Sequence, residues 1–387
     1  FFQADDGIRD VERSRGLGDV YKRQGNGISN LGNEAVTVSD TGTITDVSTL
    51  TTLNGNTTGT VNADAVAGFS GSISDLNTMY SGAVSSGNGI TNIGDKVVTI
   101  TDTTVSDASA LNTLNGYTTG VITADGVTAV TGTASALNTL LTAGNQTSEF
   151  SAASFSSLAT ATVSDSTLSV ANLNGAIAQA NTATGATSTV FSLSAGATIN
   201  TGAESAFTTL LGYESASQVS ITDQNITVDS GTISVDNANL LDATTTGTVT
   251  ATIDAGTRVD DLKTLNGSNA YTITIDNADA TGSTATEFNA INSATTVAID
   301  ASAVTGLASD DIDDITTLLT AAANDTKFED GSFGNLATVV VADTSLTATE
   351  LTDAIADANT VTGTTDTVFT ITAVDTITGS EANFTDL

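Results

Sequence analysis

The strongest constraint on this chain is that it repeats. The stretch "GNGISNLGNEAVTVSDTGTITDVSTLTTLNGNTTGTV" from Gly25 returns as "GNGITNIGDKVVTITDTTVSDASALNTLNGYTTGVI" from Gly87. A longer copy relates "LATATVSDSTLSVANLNGAIAQANTATG" at Leu158 to "LATVVVADTSLTATELTDAIADANTVTG" at Leu336. A shorter module lies inside both, marked by the apolar pairs Leu50/Leu53, Leu76/Met79, Leu111/Leu114, Leu137/Leu140, Leu262/Leu265, Phe288/Ile291 and Ile315/Leu318. The step between first members is the same from Leu50 to Leu76, from Leu111 to Leu137 and from Leu262 to Phe288, and it is longer elsewhere. A unit this small cannot enclose a core alone, so its apolar face must be covered by the next copy.

Each module has the same internal grammar. A Ser, Thr or Asp precedes apolar residues three or four apart, as in "SDLNTMY", "SALNTLL" and "TATELTDAIADAN", which is helix spacing behind an N-cap. Thr347 and Glu350 have the spacing of a capping box. Asn54-Gly55, Asn115-Gly116 and Asn266-Gly267 read as helix stops, because Asn and Gly adopt the left-handed C-cap at low cost. Short β-rich runs follow, among them "GTVNADAV", "GVITADGV" and "AYTITI". Parallel strands need a crossover, and the helix supplies it. The expected fold is an α/β solenoid over residues 25–387, with about 26–36 residues per coil. Its short parallel strands should form one wall, with short helices as crossovers. Leu76, Leu111, Leu137, Leu173, Leu240, Leu262, Ile315 and Leu351 are the expected core.

Composition narrows the function. The chain has no Cys, no His and no Pro, which removes disulfides, thiolate chemistry and the commonest acid–base side chain. No apolar run approaches the roughly 20 residues of a membrane-spanning helix. Residues 1–24 hold five acidic and five basic groups, so residues 25–387 carry 39 acidic against four basic ones, Lys96, Arg258, Lys263 and Lys327. A chain with so few cations cannot neutralise phosphates, which argues against nucleic acid and anionic membranes as partners. There is no Ser-x-x-Lys pair, and "GNG" at Gly25 and Gly87 lacks the Lys of a phosphate loop, so no enzyme is expected.

Five aspartates recur just after strand-like runs: Asp40 in "VTVSD", Asp102 in "VTITD", Asp165 in "ATVSD", Asp223 in "VSITD" and Asp343 in "VVVAD". Two roles fit them. Stacked coils would align the carboxylates into a row of hard oxygens suited to calcium, the only cofactor the sequence suggests. Alternatively, each Asp caps the turn it begins by accepting backbone N–H groups. The glycine-rich nonapeptide of calcium-binding β-rolls is missing. Asp310, Asp311, Asp313 and Asp314 form a run that suits either a cation or a helix N-terminus. Thr248, Thr250, Thr252, Thr272 and Thr274 alternate as in an ice-binding array, yet only two modules carry them, which is ordinary strand preference.

Two resemblances complete the reading. "FFQADDGIRD" and "SRGLGDVYKRQ" resemble the translated ends of a sequencing-library adapter, with Asp5 where the adapter frame has Glu. That implies residues 1–24 are a non-native stub and that Gly25 and Leu387 are cut edges. The modules "TLNGNTTGTV" and "VTGTASALNTLL" resemble those of giant β-strand-repeat surface proteins of marine bacteria, cyanobacteria especially. This implies type I secretion and an extracellular structural or adhesive role. The other role considered is a binding module whose face takes a glycan, a partner protein or calcium. Like modules of the same long chain are further candidate partners.

Overall fold

The computed structural model describes residues 32–84, 89–276, 282–324 and 326–385; the adapter-like stub, the first residues of the array including Gly25, and also Gly87 and Leu387, lie outside them. The protein is α/β, with short strands paired in parallel and twelve helices among the described residues. It divides into two compact units, one from the chain up to Thr162 with Ala178–Val190, the other from Val163–Ile177 and Phe191 onward.

In the first unit the helices are α1 (Ser48–Asn56), α2 (Ile73–Val84), α3 (Ala108–Tyr117) and α4 (Ala134–Gly144). Each is preceded by short strands that belong to different sheets. Val36–Thr37, Val61–Asn62 and Ile90–Thr91 form one sheet. Thr43–Ile44, Gly68–Gly71, Val97–Ile100 and Ile122–Thr123 form a second. The single wall expected from the sequence is therefore replaced by several sheets. The segments "GFSG" and "AVTG", too short and glycine-bound to read as strands, are strands because the neighbouring repeat supplies their partners.

The chain after α5 (Val170–Thr184) continues with α6 (Glu204–Ser215), α7 (Val235–Thr244), α8 (Val259–Leu262), α9 (Ala285–Ala294), α10 (Ile312–Ala322), α11 (Ala348–Thr362) and α12 (Glu381–Thr385). In the second unit Thr167–Ser169, Thr198–Asn200, Asn225–Thr227, Val249–Thr252 and Ala270–Thr272 make a five-stranded sheet. Register fixes the repeat length directly. The shortest step sets Thr250 opposite Ala270, and the longest sets Gly306 opposite Thr338. Both are shorter than the longest helix-to-helix spacing suggested. The long step from Leu76 to Leu111 contains an added strand, Thr104–Val105, while the strands beneath it keep a shorter register, with Gly68 opposite Val97.

Leu76, Met79, Leu111, Leu114, Leu137 and Leu140 have no exposed surface, as the spacing of their pairs requires, whereas Leu53 of the first pair is only half-buried. Leu240 corrects the expected core list. It is 53% exposed, and its neighbour Leu241 is buried instead. The long copies at Leu158 and Leu336 follow matching aromatic cores. Phe150 tilts against Phe155 with centroids 5.5 Å apart, and Phe328 meets Phe333 edge-on at 5.2 Å. Phe155 and Phe333 both have positive φ, 59° and 56°, a conformation rare for an aromatic residue and held here by complete burial.

Candidate functional site

The five aspartates do not flank one series of paired strands. Asp40 follows a strand of the first sheet and Asp102 a strand of the second. Asp343 follows Thr338–Val341, whereas Asp223 precedes Asn225–Thr227 in the five-stranded sheet. Asp165, half-buried, follows Thr160–Val163. Among the described residues no three carboxylates converge as a metal site requires.

Two of the five cap helices, and not their own turns. Asp102 Oδ2 accepts the N–H of Ile73, the first residue of α2, at 2.7 Å. Asp343 Oδ2 accepts the N–H of Ile312, the first residue of α10, at 2.8 Å. Each carboxylate thus reaches back one repeat to satisfy a helix N-terminus. Two other acids act in the same way. Asp229 accepts from Thr201 and Gly202 N–H, just ahead of α6, at 3.0 and 2.9 Å, and Asp310 accepts from Thr286 N–H at 2.7 Å. Asp223 accepts Gly196 N–H at 3.2 Å, in a loop of the previous repeat. Asp40 is exposed, beside Asp46, Thr43 and Thr49 on an open groove.

The acidic run at Asp310 resolves into separate capping roles. Asp310 serves α9, Asp311 is the N-cap of α10 and accepts Asp313 N–H at 2.9 Å, and Asp313 and Asp314 lie in the first turn of α10. Glu204 reaches the other way: its carboxylate accepts Ser234 N–H, Ser234 Oγ–H and Asn237 Nδ2–H at 3.0, 2.6 and 2.7 Å. These donors, led by the Ser234 hydroxyl, hold its carboxyl below the usual range.

Two further polar series stand in the sequence and were not read from it. The first is the Thr-Thr-Gly triplet. Thr57 Oγ1 donates to Glu34 O at 2.6 Å while accepting Gly59 N–H at 2.9 Å. Thr245 repeats this with Gln224 O and Gly247 N–H at 2.6 and 2.9 Å, and Thr118 with Gly94 O and Gly120 N–H at 3.0 and 2.9 Å. The second is the Asn of "LNT" and its variants. Asn77, Asn112, Asn174 and Asn289 donate from Nδ2 to Ala110, Ala136, Ala206 and Asp314 carbonyls, each on the next helix, at 2.8–3.0 Å. Both recur with the module, which was the available signal.

The threonine face is broader than two modules. Register aligns Thr167, Thr198 and Asn225 in one column, and Thr252 with Thr272 in another. Asn and Ser stand among the Thr residues, which hid the pattern from a Thr-only reading. The rare cations include a surface linker: Lys263 Nζ lies 2.7 Å from Asp260 and 2.6 Å from Glu287, joining α8 to α9. Tyr80 is buried, donates to Ile93 O at 3.1 Å, and burial pushes its phenol up to about 12.

No family model, no curated protein and no solved structure matches this chain.

Proposed function

We propose that residues 25–387 are a segment of α/β solenoid with a structural or adhesive role, without catalysis, in a large secreted protein of the cell surface reached by a type I route. One observation supports it above the others. Polar residues that recur with the module, among them Asp102, Asp223, Asp343, the Thr-Thr-Gly threonines and the "LNT" asparagines, make hydrogen bonds from one repeat to the next. Polar side chains that recur with the module and join one repeat to the next serve the fold, which supports a structural role. The excess of 35 negative charges suits a long polymer that must stay soluble and apart from its neighbours.

The binding-module reading has its own support in the Thr, Asn and Ser columns of the five-stranded sheet, since repeat proteins bind through extended faces. Immobilised full-length protein probed with a glycan array and with whole marine bacterial cells separates the two. A purely structural role, the chain acting as a spacer, predicts neither glycan nor cells retained above background, whereas an adhesive role predicts cells retained. Saturable retention of one glycan class, lost in the double variant Thr198→Lys, Thr250→Lys, would replace either with the binding role.

A further inference from the structure

The long copies from Leu158 and Leu336 allow equivalent residues to be compared in two settings. Phe191 is 1% exposed and Ile177 and Ile199 are fully buried. Their counterparts Phe369, Ile355 and Ile377 are only partly covered. In the helix that follows, Phe207 is 1% exposed, while Phe384, the fourth residue of α12 as Phe207 is of α6, is 46% exposed. Sequence does not explain the contrast, since the residue types are the same.

Neighbours explain it. Phe191 bridges in parallel to Val219, and its N–H donates to Gln218 O at 2.7 Å. Ile199 stands in register with Ile226. Among the described residues, Val368–Thr370 and Thr376–Thr378 instead pair on the side of the preceding repeat alone, with Thr338–Val341 and Ser345–Thr347. Each is an edge strand of its sheet. Between them Leu351, Ile355, Phe369, Ile371 and Ile377, with Thr367, line a groove of about 330 Å³. Parallel edges open among the described residues and flanking a groove lined mostly by aliphatic and aromatic side chains form a template for one more strand–helix unit.

We infer that this face is a docking surface for one further strand–helix unit with the chemistry of residues 211–258, entering in parallel register. It would place a β-branched residue against Phe369 as Val219 lies against Phe191, and another against Ile377 as Ile226 lies against Ile199. This holds whether the array serves as spacer or as binder, because it rests on the equivalence of the two copies alone.

The test extends the full chain after Leu387 with a second copy of residues 211–258, the segment that follows Leu210 in the register set by α6 and α12. Hydrogen exchange of the Phe369 amide is read in the extended and unextended proteins. The expected result is slowing by about 100-fold or more in the extended protein. An extension carrying Val219→Asp and Ile226→Asp in the added copy should leave exchange as fast as in the unextended chain. Equal rates with and without the intact extension, including the case where the added segment stays unfolded, would overturn the inference. So would concentration-dependent self-association of the unextended chain that Phe369→Asp abolishes, since the occupant would then be a second copy.

Discussion

Gly120 and Gly116 stand four residues apart and have opposite tolerances for a methyl group. Gly120 ends a Thr-Thr-Gly triplet, where a Cβ would collide with the Lys96 carbonyl of the preceding repeat. Gly116 lies inside α3 with nothing near the space a Cβ would take. Gly120→Ala is expected to destabilise by about 1–3 kcal/mol through forced separation of the strands. Gly116→Ala is expected to stabilise by about 0.5–1 kcal/mol, because glycine is a poor residue in a helix interior. Urea titration of the two variants checks both signs. Thr245→Val should cost about 1–3 kcal/mol, because Gly247 N–H loses its acceptor beneath a buried side chain.

At the scale of elements, helix starts were more legible than helix ends. The Thr347–Glu350 capping box forms as its spacing predicts. The Asn-Gly pairs did not act as stops in α1 and α3, which run on to Asn56 and Tyr117 and end at the extended residues Thr57 and Thr118. The reason is tertiary: those threonines are held by carbonyls of the preceding repeat, a bond that no local propensity encodes. Gly267 alone of the three takes a positive φ, 77°, in the turn after α8. The aspartates were legible as caps by type, but Asp102 and Asp343 find their targets a whole repeat back, at Ile73 and Ile312, so a reading along the chain assigned them to the wrong turn. Replacing Asp343 by Ala should cost about 0.5–2 kcal/mol, as for loss of an N-cap, with exchange accelerated first in α10. Glu204 adds a pH dependence to the junction of α6 and α7. Its folded pKa is depressed, so the ionised form favours the fold and the contribution is fully present above the ordinary value of about 4.5. As pH falls the unfolded chain takes up the proton first, and the contribution is lost on reaching the lower folded value. Glu204→Gln should therefore flatten the decline in stability below about pH 5, modestly, since the group is part-exposed and screened. Thermal melts of both proteins from about pH 7 to 3 measure it.

For the whole molecule, we propose that each small unit is held by its neighbours in sequence and that cations serve as a screening medium. Self-repulsion among 35 excess negative charges falls with ionic strength, so sodium chloride should raise the melting temperature. Calcium at equal ionic strength should add nothing further; a saturable added shift would assign specific sites to Asp40, Asp102, Asp165, Asp223 or Asp343. The most direct test of the stacking claim is removal of one repeat in register. Thr104 pairs with Ala129 and Val105 with Val130, so deleting residues 104–128 substitutes each strand residue by its equivalent and α3 by α4. The variant is expected to stay soluble, keep its far-ultraviolet ellipticity per residue and unfold cooperatively in urea, because neighbour contacts are replaced in kind. Loss of cooperative unfolding, or collapse of the ellipticity, would mean that the repeats form one irreducible core and would contradict the account.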